Sequence, residues 1–247
     1  MTKAASINVI KIGGSVLTDA TAYRRAARHL ADRIYQRPDE KILAIVSAQY
    51  GDTDRLLASA QDMVGEPRTD TLDLLWSTGE LRSTALLTLA LQGLGVSAVA
   101  ANVHQTGLRV DPGGGTTIAL TSQLRIRALL ARADVVVAPG FLATTAGDGI
   151  ASLGRGGSDL SAVLLASRLS ASTCELLKDV PGYFDSDPNV SQTARPIETL
   201  EYEDAIAMAH DGCDLVQLRA LEAARDLAVT LIVRSFDAGR HTVVGPH

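Results

Sequence analysis

The chain has 247 residues, 46% of them apolar, and a formal net charge of −5, enough for one large α/β domain or two small ones with a sizeable core. The acidic balance argues against a nucleic-acid surface, and the two distant cysteines, Cys174 and Cys213, argue against a zinc site or a disulfide framework. The opening "MTKAASINVIKIGGS" lacks the apolar core of a signal peptide and no apolar run reaches spanning length, so the expectation is a soluble cytoplasmic protein with no membrane partner.

In chain order, "INVIKI" (Ile7–Ile12) is a β-branched run that stops at Gly13-Gly14-Ser15, a strand and a tight turn. Tyr23–Gln36 reads as a helix with its arginines on the solvated side. Lys41–Gln49 is a buried strand, and Arg55–Val64 is a helix broken by Pro67. Leu72–Leu94 reads as one long helix interrupted around Ser77-Thr78-Gly79. "VSAVAA" is a third strand, Arg109–Thr117 a loop, and Gln123–Ala131 a helix. Asp134–Phe141 is the next strand, and Gly147-Asp148-Gly149 has hairpin chemistry. A helix (Leu160–Leu169), a strand (Thr173–Leu177) and an acidic loop (Lys178–Asn189) follow, then helices at Tyr202–Asp211 and Leu215–Ala228 and a strand at Val229–Val233. Strands alternating with helices predict βαβ units and a mostly parallel sheet covered on both faces, with ligands beyond the carboxyl ends of the strands.

Two turns carry the chemistry. Lys11-x-Gly13-Gly14-Ser15 sets a cation before a turn whose backbone N–H groups can converge on an anion, or it is an ordinary strand-to-helix turn. "GRGGSD" (Gly154–Asp159) aims the N-terminus of an apolar helix at the same kind of ligand, with Arg155 able to clamp a carboxylate or phosphate. Asp159 is then either a helix cap or an aspartate that organises a cation. "STGE" (Ser77–Glu80) offers an acid for an ammonium group or a helix cap, and "DVPGYFDSDP" offers Tyr183 for ring stacking with Asp185 and Asp187 as acids, or is a solvated loop. There is no GxxxxGK[ST], no full GxGxxG, no HExxH and no GxSxG, and the histidines show no metal-ligand spacing, so no protein metal site is expected.

Taken in order, "VIKIGGSV", "VSAQYGDTDRLL", "STGE", "LGRGGSDLSAV", "KDVPGYFDSDP", "VRSF" and "TVV" resemble the amino acid kinase family, most closely the catalytic domain of aspartate kinases. The resemblance implies a three-layer α/β/α sandwich with a mostly parallel central sheet. It implies a single kinase domain over 1–247, its N-terminal part holding the acceptor and its C-terminal part, from about 150, the nucleotide. It also implies ATP with Mg2+, an amino acid acceptor and a homodimer. Carried over by position, Lys11 balances charge on the transferring phosphoryl group, and Gly13, Gly14 and Ser15 donate backbone hydrogen bonds to phosphate. Ser47, Thr53 and Ser158 fall in the acceptor pocket, Glu80 takes the acceptor's ammonium group, Arg155 its α-carboxylate, and Asp159 organises the site around Lys11. Asp179, Tyr183, Asp185 and Asp187 fall in the nucleotide loop.

Three departures accompany the resemblance. The sequence stops at His247, and the expectation is a catalytic domain without the regulatory ACT domains that usually follow in aspartate kinases. "GCDLVQLRAL" has Asp214 where the family has a lysine that helps hold the ATP phosphates, and Gln217-Leu218 where it has His-Pro. Lys178 stands where the family's nucleotide loop begins with threonine, and the expectation is that it supplies the missing charge in space. The expected activity is phosphorylation of an amino acid carboxylate. The alternatives are a non-catalytic amino-acid-binding subunit or a different group transfer on the same fold.

Overall fold

β1 (Ser6–Ile12) lies inside an eight-stranded sheet because every residue from Asn8 to Ile12 is buried and its apolar side chains go alternately to two cores. Residues 6–111, 115–118, 120–188, 190–191, 193–236 and 239–246 are described in this computed structural model. β1 pairs in parallel with β2 (Glu40–Val46) on one side and β9 (Thr173–Leu177) on the other. Beyond β2 come β6 (Val135–Pro139) and β3 (Ala98–Ala100), and beyond β9 come β11 (Leu231–Arg234), β12 (Thr242–Val244) and β10 (Thr199–Leu200). Among the described residues of this sheet, only the β11–β12 pairing is antiparallel. The strand order therefore reverses between β1 and β9, the switch point where α/β sheets bind ligands.

One face of the sheet is covered by α1 (Ala20–Gln36) and α3 (Thr69–Gln92), which share a core with Ile10, Ile12, Ile42, Val46 and Val137. The other face carries α5 (Leu120–Arg132), α6 (Gly157–Leu169), α7 (Tyr202–His210) and α8 (Leu218–Asp226), packed on Val9, Leu43, Val136, Leu176 and Val233. This is the expected α/β/α sandwich. α1 places Ala22, Tyr23, Ala26, Ala27, Leu30, Ala31 and Ile34 on its buried side at helical spacing, and Asp19 caps it by accepting from the Ala22 amide at 2.8 Å. α2 (Asp52–Met63) lies against α3.

Four features differ from the sequence expectation. α3 is continuous: the Ser77 and Thr78 hydroxyls bond back to the Leu74 and Leu75 carbonyls, and Gly79 lets α3 approach Ala48. STGE is therefore mid-helix and caps nothing. Asp159 is no cap either, since α6 starts after Gly156 and Asp159 is in its first turn. Part of the expected 109–117 loop is strand: β4 (Leu108–Val110) and β5 (Thr116–Ile118) pair antiparallel, while residues 112–114 lie outside the described residues. With β7 (Leu142–Thr144) and β8 (Ile150–Ser152), joined by the expected 147–149 hairpin, they form a second sheet, and α4 (Val103–Thr106) leads into it. The helix expected at Leu215–Ala228 starts only at Leu218, so Asp214 to Gln217 form a connection beside the strand ends.

Candidate functional site

A cavity of about 410 Å³ opens at the carboxyl ends of β1, β2 and β9. Lys11, the penultimate residue of β1, and Lys178, the first residue after β9, enter it from neighbouring strands. Between them sits Asp159, with Oδ1 2.8 Å from Lys11 Nζ and Oδ2 2.8 Å from Lys178 Nζ. All three side chains are almost wholly buried. Burial pushes the Asp159 carboxyl up, but the charges of Lys11 and Lys178 outweigh it and hold it at about 2. Burial, and then the Lys11 charge, bring the Lys178 ammonium down to about 8 against the pull of Asp159. Two cations on one anion leave a net positive centre at the N-terminal end of α6, where helix amides add to the attraction for an anion.

The turn before α6 is shaped by contact as well as by sequence. Gly156 has φ +74°, and a β-carbon there would come within 2.3 Å of Gln217 Cβ and Cγ. Arg219 donates from α8 to the Leu153 carbonyl at 2.7 Å, so α8 and the connection before it both hold to this turn. Gly14 permits a similar approach: a β-carbon there would stand 2.7 Å from the Ala48 carbonyl oxygen.

The same cavity is also lined by an acid from α3. Glu80 reaches it from the middle of α3 and is fully buried, with Oε2 lacking any hydrogen-bond partner. Burial pushes its carboxyl up to about 8, opposed by a backbone hydrogen bond from Ala48 and by the charge of Lys11. Arg155, exposed, lines the same cavity, as do Ser47, Thr53 and Ser158. In one cavity the arrangement offers an acceptor for an ammonium group, a guanidinium for a carboxylate, and two ammonium groups for phosphate.

Of the other residues expected in the site, Gly14 and Ser15 line the cavity. Gly13 does not, and its N–H is given to the Leu177 carbonyl at 3.3 Å rather than kept for phosphate. Tyr183 lies in the core at 1% exposure, where burial raises its hydroxyl pKa, so its ring is not presented for stacking. Asp179, Asp185 and Asp187 are exposed outside the cavity, and Asp185 accepts from the Arg195 amide at 2.8 Å. Asp214 is exposed and outside the lining, whereas Gln217 is in it. The cavity also takes in Gln49, Tyr50, Asp54 and Phe141, which sequence reasoning missed. Phe141 has φ 62° and meets Trp76 edge-on at 5.9 Å, and no local pattern announces either feature. Among the described residues no cluster of His, Cys, Asp or Glu is suited to a metal ion, and no helix is long and apolar enough to cross a membrane.

The sequence matches the amino acid kinase family over residues 6–235. It is 35% identical to an aspartokinase of Thermus thermophilus over 92% of this chain and 56% of that protein, so the chain spans about half the length of such a relative. The aspartate kinase of Synechocystis superposes with a TM-score of 0.84 at 30% identity, over 98% of this chain and 40% of that one. E. coli aspartokinase III, solved with aspartate and ADP, shares the fold with a TM-score of 0.84 at 24% identity, over 97% of this chain and 64% of that one. With the fold, the switch-point cavity and a family match over nearly its whole length, the chain belongs to the amino acid kinase family.

Proposed function

We propose that this chain transfers the γ-phosphoryl group of ATP to a carboxylate of an amino acid, aspartate being the first candidate, to give an acyl phosphate and ADP. The observation that carries the reading is the buried Lys11–Asp159–Lys178 cluster, which shares one cavity with Glu80 and Arg155. Aspartate is favoured because the relatives are aspartokinases and because Glu80, Arg155, Ser47 and Thr53, the residues the resemblance assigns to the acceptor, line one cavity.

In this reading Arg155 pairs with the α-carboxylate and Glu80 with the α-ammonium group, which leaves the side-chain carboxylate facing the phosphate end. An oxygen of that carboxylate attacks the γ-phosphorus. The bond from phosphorus to the β,γ-bridging oxygen breaks, and its electron pair leaves on ADP with no proton transferred. Lys11 and Lys178 neutralise charge on the γ-phosphoryl oxygens, and the α6 N-terminus with the backbone of Gly14 and Ser15 adds directed dipoles. Positioning and charge neutralisation are what phosphoryl transfer asks of a protein. Asp159 keeps both ammonium groups aimed. Lys178 supplies the cation that the resemblance puts at Asp214. The donor set of buried ammonium groups and amides suits polyphosphate rather than a bare cation, so Mg2+ enters as the nucleotide's counter-ion.

The acceptor is assigned to the N-terminal part and the nucleotide to the part after about residue 150, its base and ribose near Asp179, Asp185 and Asp187. The implied homodimer would use the exposed leucines of α3, Leu86 and Leu89. A binding protein without catalysis is the second reading, favoured by Asp214, which puts an anion where the family holds a phosphate-binding cation. Hydroxylamine trapping separates the two. Purified chain with Mg-ATP and a panel of amino acids yields hydroxamate with at least one acceptor, and Asp159→Asn abolishes it. Folded protein that binds an amino acid yet yields no hydroxamate with any acceptor supports the second reading instead.

A further inference from the structure

The second large cavity, about 470 Å³, lies on the opposite face of the sheet between α1 and the strands β9 and β11. The apolar core of that face includes Leu177 of β9, but Thr173, Glu175, Ile232 and Arg234 at the neighbouring positions turn toward α1 and line open space. α1 is polar where it borders this space. Its Arg33, expected on the solvated side with the other arginines, is half-buried and bridges Glu40 and Glu175.

Two groups in this cavity are left incomplete. Glu175 is 3% exposed; its Oε1 takes Arg33, but its Oε2 is buried with no hydrogen-bond partner. Arg234 Nε is buried without a partner as well, and its guanidinium forms no ion pair among the described residues. The nearby Thr173 hydroxyl already donates to Asn8 Oδ1 at 2.8 Å, so its proton is not available to Glu175. A buried carboxylate oxygen lacking a donor and a buried guanidinium N–H lacking an acceptor are both expensive to leave unmade.

We infer that this cavity is a second ligand site, for a zwitterionic α-amino acid whose ammonium group binds Glu175 and whose carboxylate binds Arg234. The lining carries Arg33, Arg37, Arg234, His29 and His241 against Asp32 and Glu175, but Arg33 and Arg37 are already held by Glu40 and Glu175, which leaves one buried carboxylate oxygen and one guanidinium for a ligand carrying both charges. The register supports the span. Glu175 pairs with Ile232 and Leu177 with Arg234, which sets Glu175 and Arg234 two residues apart along adjacent parallel strands and about 8 Å apart at Cα. At that separation both side chains, which line the same cavity, can engage opposite ends of one small ligand through charge-assisted hydrogen bonds. The site is separate from the transfer cavity, because Lys11 faces α6 on the other side of the sheet. The inference stands independently of the phosphoryl-transfer reading.

The test is calorimetric titration of the whole chain with the standard α-amino acids at millimolar concentration, in an Arg155→Ala background that disables the acceptor end of the transfer cavity. At least one amino acid binds this variant, and adding Arg234→Met weakens that binding about tenfold or more, the loss expected for one charged hydrogen bond. The decarboxylated amine and the N-acetyl derivative of the same amino acid lose binding by a similar factor. Failure of every amino acid to bind the Arg155→Ala protein overturns the proposal, and so does binding that Arg234→Met leaves unchanged. If the double variant does not fold by circular dichroism, the two derivatives decide: either one binding as well as its parent overturns the assignment. Hydroxamate formation by the wild type is scored apart, so loss of the kinase reading leaves this result standing.

Discussion

Glu80 is the residue where fold and function pull against each other. Its carboxyl is buried on α3 with Oε2 unpaired, and its pKa rises to about 8, above the usual value of about 4.5. In the free protein it therefore holds a proton at neutral pH. An ammonium ligand needs the carboxylate, so amino acid binding releases a proton below pH 8, and affinity rises with pH by at most about tenfold per unit. Calorimetry in buffers of different ionisation enthalpy measures that release, and its absence would contradict the role assigned to Glu80. The sign for stability follows from the same shift. The folded state binds more protons than the unfolded state between about pH 4.5 and 8, so this group lowers stability as pH rises across that window. Glu80→Gln removes the dependence and is expected to raise stability by on the order of 2–3 kcal/mol at pH 7 while losing acceptor binding. Thermal melts at several pH values check it, and an unchanged or lower melting temperature at pH 7 speaks against the shift. Asp159 has the opposite sign: held at about 2, it contributes stability that is present above the ordinary carboxylate pKa and is lost as pH falls through 2.

At the scale of elements, the turn before α6 and the connection before α8 form one unit through Gly156 and Gln217. Gly156→Ala puts a β-carbon at positive φ and against Gln217, and is expected to destabilise by about 2–4 kcal/mol. Gln217→Gly in the same chain removes the steric part and recovers about half, leaving the backbone strain. Denaturant melts of the two single variants and the double variant measure this coupling, and strict additivity would show that the two segments are not in contact. The same elements show what the sequence disclosed. β9 lies at the expected Thr173–Leu177, and β1, with its β-branched run, and α1 lie within a few residues of expectation, since short strands and amphipathic helices are set by local pattern. STGE reads as a break because Ser, Thr and Gly are poor helix formers in isolation. Bonds from the two hydroxyls to the preceding turn, and the close packing of Gly79 on Ala48, reverse that preference. Asp159 looks like a cap for a similar local reason, and only the positions of Lys11 and Lys178, far away in sequence, decide otherwise.

For the whole molecule, the decisive feature is the switch point between β1 and β9, which brings residue 11 beside residue 178. The cations, Glu80 and Arg155 were legible as motifs, and their convergence followed from a parallel sheet. Phe141, Tyr50 and the polar cavity behind β9 were not, because they depend on one backbone torsion, on a loop's path and on where α1 stops covering the sheet. Departure from family pattern was informative only in three dimensions. Asp214 is turned out to solvent, while Lys178 shares Asp159 with Lys11, so in the proposed mechanism the second phosphate-binding charge has moved from the α7–α8 connection to the end of β9. The most direct measurement is single-turnover acyl-phosphate formation, trapped as hydroxamate, by the wild type and by Lys178→Met at saturating amino acid and Mg-ATP. The wild type is expected to form product, and Lys178→Met to fall by about 10²–10³ in rate, the scale for removing one preorganised charge-stabilising group. A wild type that forms no hydroxamate, or a Lys178→Met rate equal to the wild type, would contradict the proposed mechanism.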